Sequence, residues 1–436
     1  MEKENYLTKE QKIKKVLTYR WIVYAILILS YFIVFVHRMS VGIIKQELVD
    51  AFAMSPVGFA TLGAMYFYAY AVMQIPTGIL ADTLGARVTV AIGSIVTGIG
   101  SVLFGMAPVA AVAFIGRLLV GLGVSVTFIS LSKIQTTWFK EKEFGTMSGL
   151  TQLLGNTGGV VAQTPMAILV AAFTWRTTFI GMGIVSLVIA VLCYLFVRNK
   201  PQDMGLPSIA EIEGRQEDMA KGEKVSVKEG LKGVLSNKRI IAPFMFLLCY
   251  SAVFLTFTGT WGVSYIKDVY ELDNISASKY ITYMMIAQAI SALLIGFTSD
   301  KIRSRKKPLI ILGLIGNVVL FIIAIGGKLP LGLLAVLLII VSASLTCLGM
   351  SWPIAKEVNN PKYAGMGMSV VNVGAFIGGA VGPAIFAALL NQSATGIDIY
   401  RPAMIFLSVL AILGFVFSLF AKETKCRNIY YDDGVK

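Results

Sequence analysis

The chain is dominated by apolar stretches long enough to cross a lipid bilayer. A hydrocarbon core of about 30 Å needs about 20 residues of α-helix. Six such stretches fall at residues 21–44, 57–80, 88–105, 109–131, 144–171 and 177–196, and six more at 240–265, 277–297, 309–325, 331–354, 366–390 and 403–419. Only 14% of residues are charged, against about 25% in soluble domains, and 56% are hydrophobic. In hydrocarbon every backbone N–H and C=O must be satisfied within the segment, which leaves α-helix for spans of this length. The sequence therefore predicts an all-α membrane protein of twelve transmembrane helices.

Residues 201–239 interrupt the series. Pro201, Gly205, Pro207 and many Lys and Glu residues make this a polar linker that cannot build a core. A surface helix is expected over 208–222. The chain thus divides into 1–200, a six-helix bundle; 201–239, a linker; and 240–436, a second six-helix bundle. The segment before residue 21 is polar and basic, and the apolar stretch after it is too long for a cleaved leader.

The net charge of +14 is a statement about topology. Of 38 Lys and Arg residues, 29 lie in the two tails, the linker and the loops on that side, while the opposite loops hold six. Basic residues accumulate in cytoplasmic loops, so both termini are expected in the cytoplasm, and nucleic acid is not needed to explain the charge. The four cysteines show no paired spacing and read as free thiols. Nothing points to a metal or cofactor. No phosphate-cradling GK[ST] loop and no enzyme-like cluster within the spans is present, which argues against nucleotide-driven or enzymatic chemistry.

The chain repeats itself. Gly78-Ile-Leu-Ala-Asp82-Thr-Leu-Gly85-Ala-Arg87 follows span two, and Gly296-Phe-Thr-Ser-Asp300-Lys-Ile-Arg303-Ser-Arg305-Lys306 follows span eight, 218 residues later. Equivalent loops carrying one motif imply two halves of like topology. Gly78 and Gly85 are expected to let backbones approach closely.

These segments resemble the loop signature of the major facilitator superfamily, although the second copy has Ile302 and Arg303 where the glycine is expected. Arg117-Leu-Leu-Val-Gly121-Leu-Gly123 and Gly155-Asn-Thr-Gly158-Gly159 are also similar to the family. The resemblance implies the major facilitator fold, two pseudo-symmetric six-helix bundles in the cytoplasmic membrane, working as a monomer by alternating access. It also implies that Gly78, Asp82, Gly85 and Arg87, with Asp300 and Arg303 in the second copy, latch the halves together. Asp82 would meet the start of span eleven and Asp300 the start of span five.

Ionisable groups inside spans are costly and mark functional sites by default. Here they are cationic: Arg38 beside His37 in span one, and Arg117 and Lys133 in span four, with no Asp or Glu well inside any span. Arginine grips carboxylate or phosphate through two parallel hydrogen bonds, so the charge pattern favours an anionic solute. The stretch around Arg38 resembles the organophosphate and organic-anion branch of the superfamily, which carries a substrate-binding arginine there. Lys133 falls where that branch often has a second cation, and the linker opening at Asn199 fits it as well. Phosphate carriers have an arginine six residues before the position of Trp261, where this chain has Leu255; a carboxylate or a zwitterion such as a short peptide is therefore favoured over a sugar phosphate. Efflux of hydrophobic compounds, or antiport of a sugar phosphate, is the alternative. Structural roles also remain open: bracing or snorkelling for Arg38, helix packing for Arg117, a topology charge for Lys133.

Polar side chains at helical spacing complete the candidate lining. Tyr66, Tyr70 and Gln74 share one face of span two, and Gln152 and Asn156 one face of span five. Trp261, Gln288, Trp352 and Asn372 are the candidates in the second half. Packing across helices, or a place in the aromatic belt, is the competing reading. His37, Glu47 and Glu357 are candidates for coupling to a co-transported proton or ion.

Overall fold

The computed structural model describes residues 8–140, 143–214 and 227–431, with the backbone alone at 75, 82, 144, 145, 227 and 228. The described residues are helical almost throughout, and eleven of the helical runs are long and apolar enough to cross a membrane. Span one is helix Lys9–Met39, continued by a 3₁₀ turn Val41–Ile44 and helix Lys45–Phe52. At 31 residues the first piece is about 46 Å long, so its basic start extends past the hydrocarbon. Span two is Pro56–Thr83 and span three Gly85–Gly105. Span four is broken at Ser125 into Ala110–Val124 and Thr127–Trp138.

The stretch expected as span five, 144–171, forms two pieces. Phe144–Val161 ends at a turn, and the helix resumes at Thr164. The run Thr164–Phe196 is itself broken at Thr174, whose φ of 67° and ψ of 158° are not helical. The Thr174 hydroxyl lies 3.3 Å from that of Thr177 and accepts the Thr177 N–H, so it caps the helix of span six.

Spans seven to twelve are 241–270, Asn274–Lys301, Lys306–Ile325, 331–358, Ala364–Ala388 and Arg401–Leu419. Span seven contains a π-helical turn, Phe257–Trp261. Span ten passes through a 3₁₀ turn, Thr346–Met350. Asp273 caps span eight by accepting the Ser276 N–H at 3.2 Å. The linker is more structured than its composition suggests. Only Ile209–Ile212 is helical within the described part of 208–222, whereas Val227–Ser236 forms a helix whose Val234 is fully buried against Ile240, Leu247, Ala355 and Val371.

Internal contacts define two compact units, and these do not follow the sequence halves. The first comprises residues 1–35, 72–158 and 178–222. Its interior ties spans one, four and five through hydroxyl and amide groups: Tyr24 and Thr151 lie 2.9 Å apart, and Gln135 donates to Thr151 at 2.6 Å. Such bonds satisfy polar groups that lipid would not. The second unit comprises 36–71, 159–177 and 223–436, so it joins the C-terminal six spans to parts of spans one, two and five. Within it the 3₁₀ turn of span one lies on the π turn of span seven. A Cβ added to Gly42 would stand 2.9 Å from both the Gly259 and Thr260 carbonyl oxygens. Gly42 and Thr260 are 218 residues apart, the spacing of the two loop motifs.

Candidate functional site

Within the second unit, four side chains converge at the end of helix Lys9–Met39. Arg38 is half-buried, and its Nε donates to the Tyr66 hydroxyl at 3.4 Å. Its guanidinium carbon lies 5.8 Å from the centre of the Tyr66 ring, 5.4 Å from Tyr70 and 5.7 Å from Phe376. These are cation–π distances. Tyr66 and Tyr70 come from span two, one turn apart as their spacing required. Phe376, from span eleven, stacks on Tyr70 with centroids 4.1 Å apart and planes 18° apart. Both tyrosines are buried. The result is a guanidinium set against a wall of three rings.

Sequence reasoning missed Phe376. Its signal was present, since Asn372 and Phe376 are four apart and share a helix face, but a phenylalanine in an apolar span is not distinctive. Asn372 accepts a hydrogen bond from the Trp352 indole at 3.2 Å, so these two candidates meet. Gln288 is half-buried and accepts from the Ser342 hydroxyl at 3.4 Å.

Trp261 is placed differently. It is fully buried, donates to the Pro383 carbonyl at 3.1 Å and stacks against Phe386. Lys45 lies over its ring at 4.9 Å and reaches Asp268 at 3.9 Å, and Asp268 also accepts from the Tyr400 hydroxyl. The Trp261 ring is thus enclosed by Pro383, Phe386 and Lys45. His37 is also fully buried, and Glu47 is half-buried on helix Lys45–Phe52.

The other expected lining residues belong to the first unit. Arg117 is buried, with its guanidinium 5.9 Å from the Phe104 ring. Lys133 donates to the Ala81 carbonyl at 2.8 Å, near the C-terminal end of span two, where a cation suits the helix dipole. Gln74 and Asn156 are half-buried, and Gln152 is exposed.

The loop motifs divide between expectation and correction. Gly85 has φ of +77°, and a Cβ there would meet the Asn199 amide at 2.3 Å, so the close approach is real. Among the described residues nothing lies within 4 Å of a Cβ added at Gly78, so none of them makes a close backbone approach there. The Asp82 side chain lies outside the described residues. Arg87 donates through Nε to the Tyr194 carbonyl at 2.8 Å. Asp300 is exposed and pairs with Arg305 of its own loop at 2.7 Å. Arg303, also exposed, stands at φ +50° in the place of Gly85.

Glu357 is bound to structure at the end of span ten. It accepts from Arg305 at 3.0 Å and from the Thr424 hydroxyl. Each motif arginine is also held by its backbone: Asn199 accepts the Arg87 N–H at 2.9 Å, and Glu423 accepts the Arg305 N–H at 3.0 Å. Both acceptors follow the last span of their half. Burial would raise the Glu423 carboxyl pKa, but the Ser304 hydroxyl and the N–H groups of Lys425, Arg305 and Lys306 outweigh it and hold the group below the usual carboxylate range.

The chain belongs to the Major Facilitator Superfamily, whose family model matches residues 27–356 and again 281–428. It is a multi-pass membrane protein of that type. It is 24% identical over 391 residues to a protein of Cupriavidus necator described as a probable sulfoacetate transporter, covering 86% of this chain and 88% of that one. It is 23% identical to the hexuronate transporter of Bacillus subtilis, over 90% and 94% of the two chains. A membrane sensor protein of Escherichia coli is 25% identical over 63% of each. Among solved structures, a bacterial homologue of the human lysosomal transporter Spinster matches with a TM-score of 0.77 at 17% identity, covering 92% of this chain and 97% of that one.

Proposed function

We propose that the chain is a secondary transporter that moves a small organic anion across the cytoplasmic membrane by alternating access, with both termini in the cytoplasm. The substrate is a carboxylate, or a zwitterion that presents one. The observation that carries this reading is Arg38: a half-buried guanidinium within span one, ringed by aromatic side chains. A cation in a membrane span marks a substrate path, and a planar guanidinium matches a carboxylate through two parallel bonds. The names of the sulfoacetate and hexuronate relatives agree with an organic acid as cargo. Leu255, in place of a second arginine, favours carboxylate over phosphate.

The test is uptake into liposomes of labelled carboxylates, peptides, sugars and phosphates. Wild type should take up an acid, and Arg38→Ala should lose at least 10-fold of that uptake. Unchanged acid uptake by the variant removes Arg38 as ligand. A pH gradient imposed in the same vesicles reads proton coupling directly.

A further inference from the structure

The Arg38 site contains a feature that the binding of an acid group does not use. Tyr70 and Phe376 are buried and stack on each other, centroids 4.1 Å apart and planes 18° apart, beside the guanidinium. The surroundings are apolar. One turn along span eleven, Gly379 has no side chain, and a Cβ there would stand 2.7 Å from the Leu255 methyl and 2.9 Å from the Phe67 ring. This contact fixes the approach of spans eleven and two and so holds Phe376 against Tyr70. A carboxylate bound at Arg38 thus has the Tyr66, Tyr70 and Phe376 rings as close neighbours of the rest of its molecule.

We propose that Phe376 is a specificity-determining residue, and that with Tyr70 it recognises the ring face of a cyclic carboxylate. The inference rests on the reading of Arg38 as the anion ligand. A six-membered ring meets an aromatic face over a broad, flat area, whether it is itself aromatic or a sugar ring with C–H groups turned to the π face. A short acyclic acid offers no such face. Before cargo arrives, Phe376 and Tyr70 occupy the space beside the cation, so the cargo body replaces ring–ring contact with ring–cargo contact at little loss of apolar burial.

The experiment is binding to the full-length protein in detergent, by calorimetry, with benzoate, glucuronate and acetate as probes. Wild type should bind at least one ring acid 10-fold or more tighter than acetate, and the better of the two rings identifies the source. Phe376→Ala should weaken ring-acid binding at least 10-fold and acetate binding less than 2-fold, while Phe376→Tyr keeps the wild-type order. Ring-acid affinity unchanged in Phe376→Ala, or wild-type affinity for acetate equal to that for both ring acids, overturns the proposal. Arg38→Gln separates the two readings: if it still binds acids normally, the anion-ligand reading fails first. If it loses them while Phe376→Ala does not, only the present inference fails. A melting curve for each variant, with Phe376→Leu as a second apolar truncation, shows that the protein remains folded.

Discussion

At the scale of single residues, the two loop motifs carry a built-in comparison. Gly85 and Arg303 hold equivalent positions and both have positive φ, +77° and +50°. The left-handed region costs an L-residue about 1 kcal/mol or more, which glycine avoids. Gly85→Ala should therefore lower the melting temperature, both through strain and because the new methyl meets Asn199. In an Asn199→Ala background, where the bond to the Arg87 N–H is already lost, adding Gly85→Ala should cost only the strain. Arg303→Gly should leave the melting temperature equal or higher, since the exposed side chain gives up strain and little else. Thermal unfolding in detergent checks all three. The same scale shows what a sequence can reveal about a site. Tyr66 and Tyr70 were legible because polar groups at a four-residue interval on an apolar helix stand out. Phe376 was not, because it stacks on a partner from a distant span, and composition carries no record of that.

At the scale of elements, departures from regular helix are the informative places. Eleven of the twelve expected spans were legible and match runs long and apolar enough to cross a membrane, because length and hydropathy dictate them. The stretch expected as span five instead divides between Phe144–Val161 and the run that resumes at Thr164. The 3₁₀ turn Val41–Ile44 and the π turn Phe257–Trp261 were not legible, since hydrophobic periodicity is nearly the same for all helical forms. Their meeting leaves no room at residue 42. Gly42→Val should wedge the two turns apart and lower transport at least 10-fold with normal amounts in the membrane. Gly42→Ala should fall between. Uptake per molecule of purified protein is the measurement, and wild-type rates for the valine variant would show that this contact need not close.

At the scale of the whole molecule, the repeat organises the ends of both halves. A side chain after the last span holds the backbone of the motif arginine in each: Asn199 for Arg87, Glu423 for Arg305. The two differ in one testable respect, because only Glu423 titrates. Its pKa is depressed on folding, so the carboxylate stabilises the protein above the ordinary carboxylate pKa of about 4.3 and loses that effect as pH falls through the folded value. Glu423→Gln should melt below wild type at pH 7, and the gap should close as the solution becomes strongly acidic. A gap independent of pH would mean that the hydrogen bonds alone matter. The repeat was visible in the sequence through its glycines and aspartates. Its clamps were not, because Asn199 and Glu423 are different residue types doing one job.

The pairing of Gly42 with Thr260 bears on how such a chain could arise. Where two identical subunits meet on a twofold axis, a residue on the axis faces itself, so recess meets recess or bulge meets bulge. Joining both copies in one polypeptide lifts that restriction. One copy can then supply the hollow and the other the backbone that fills it, at positions that a twofold axis passing between them would have forced to be alike.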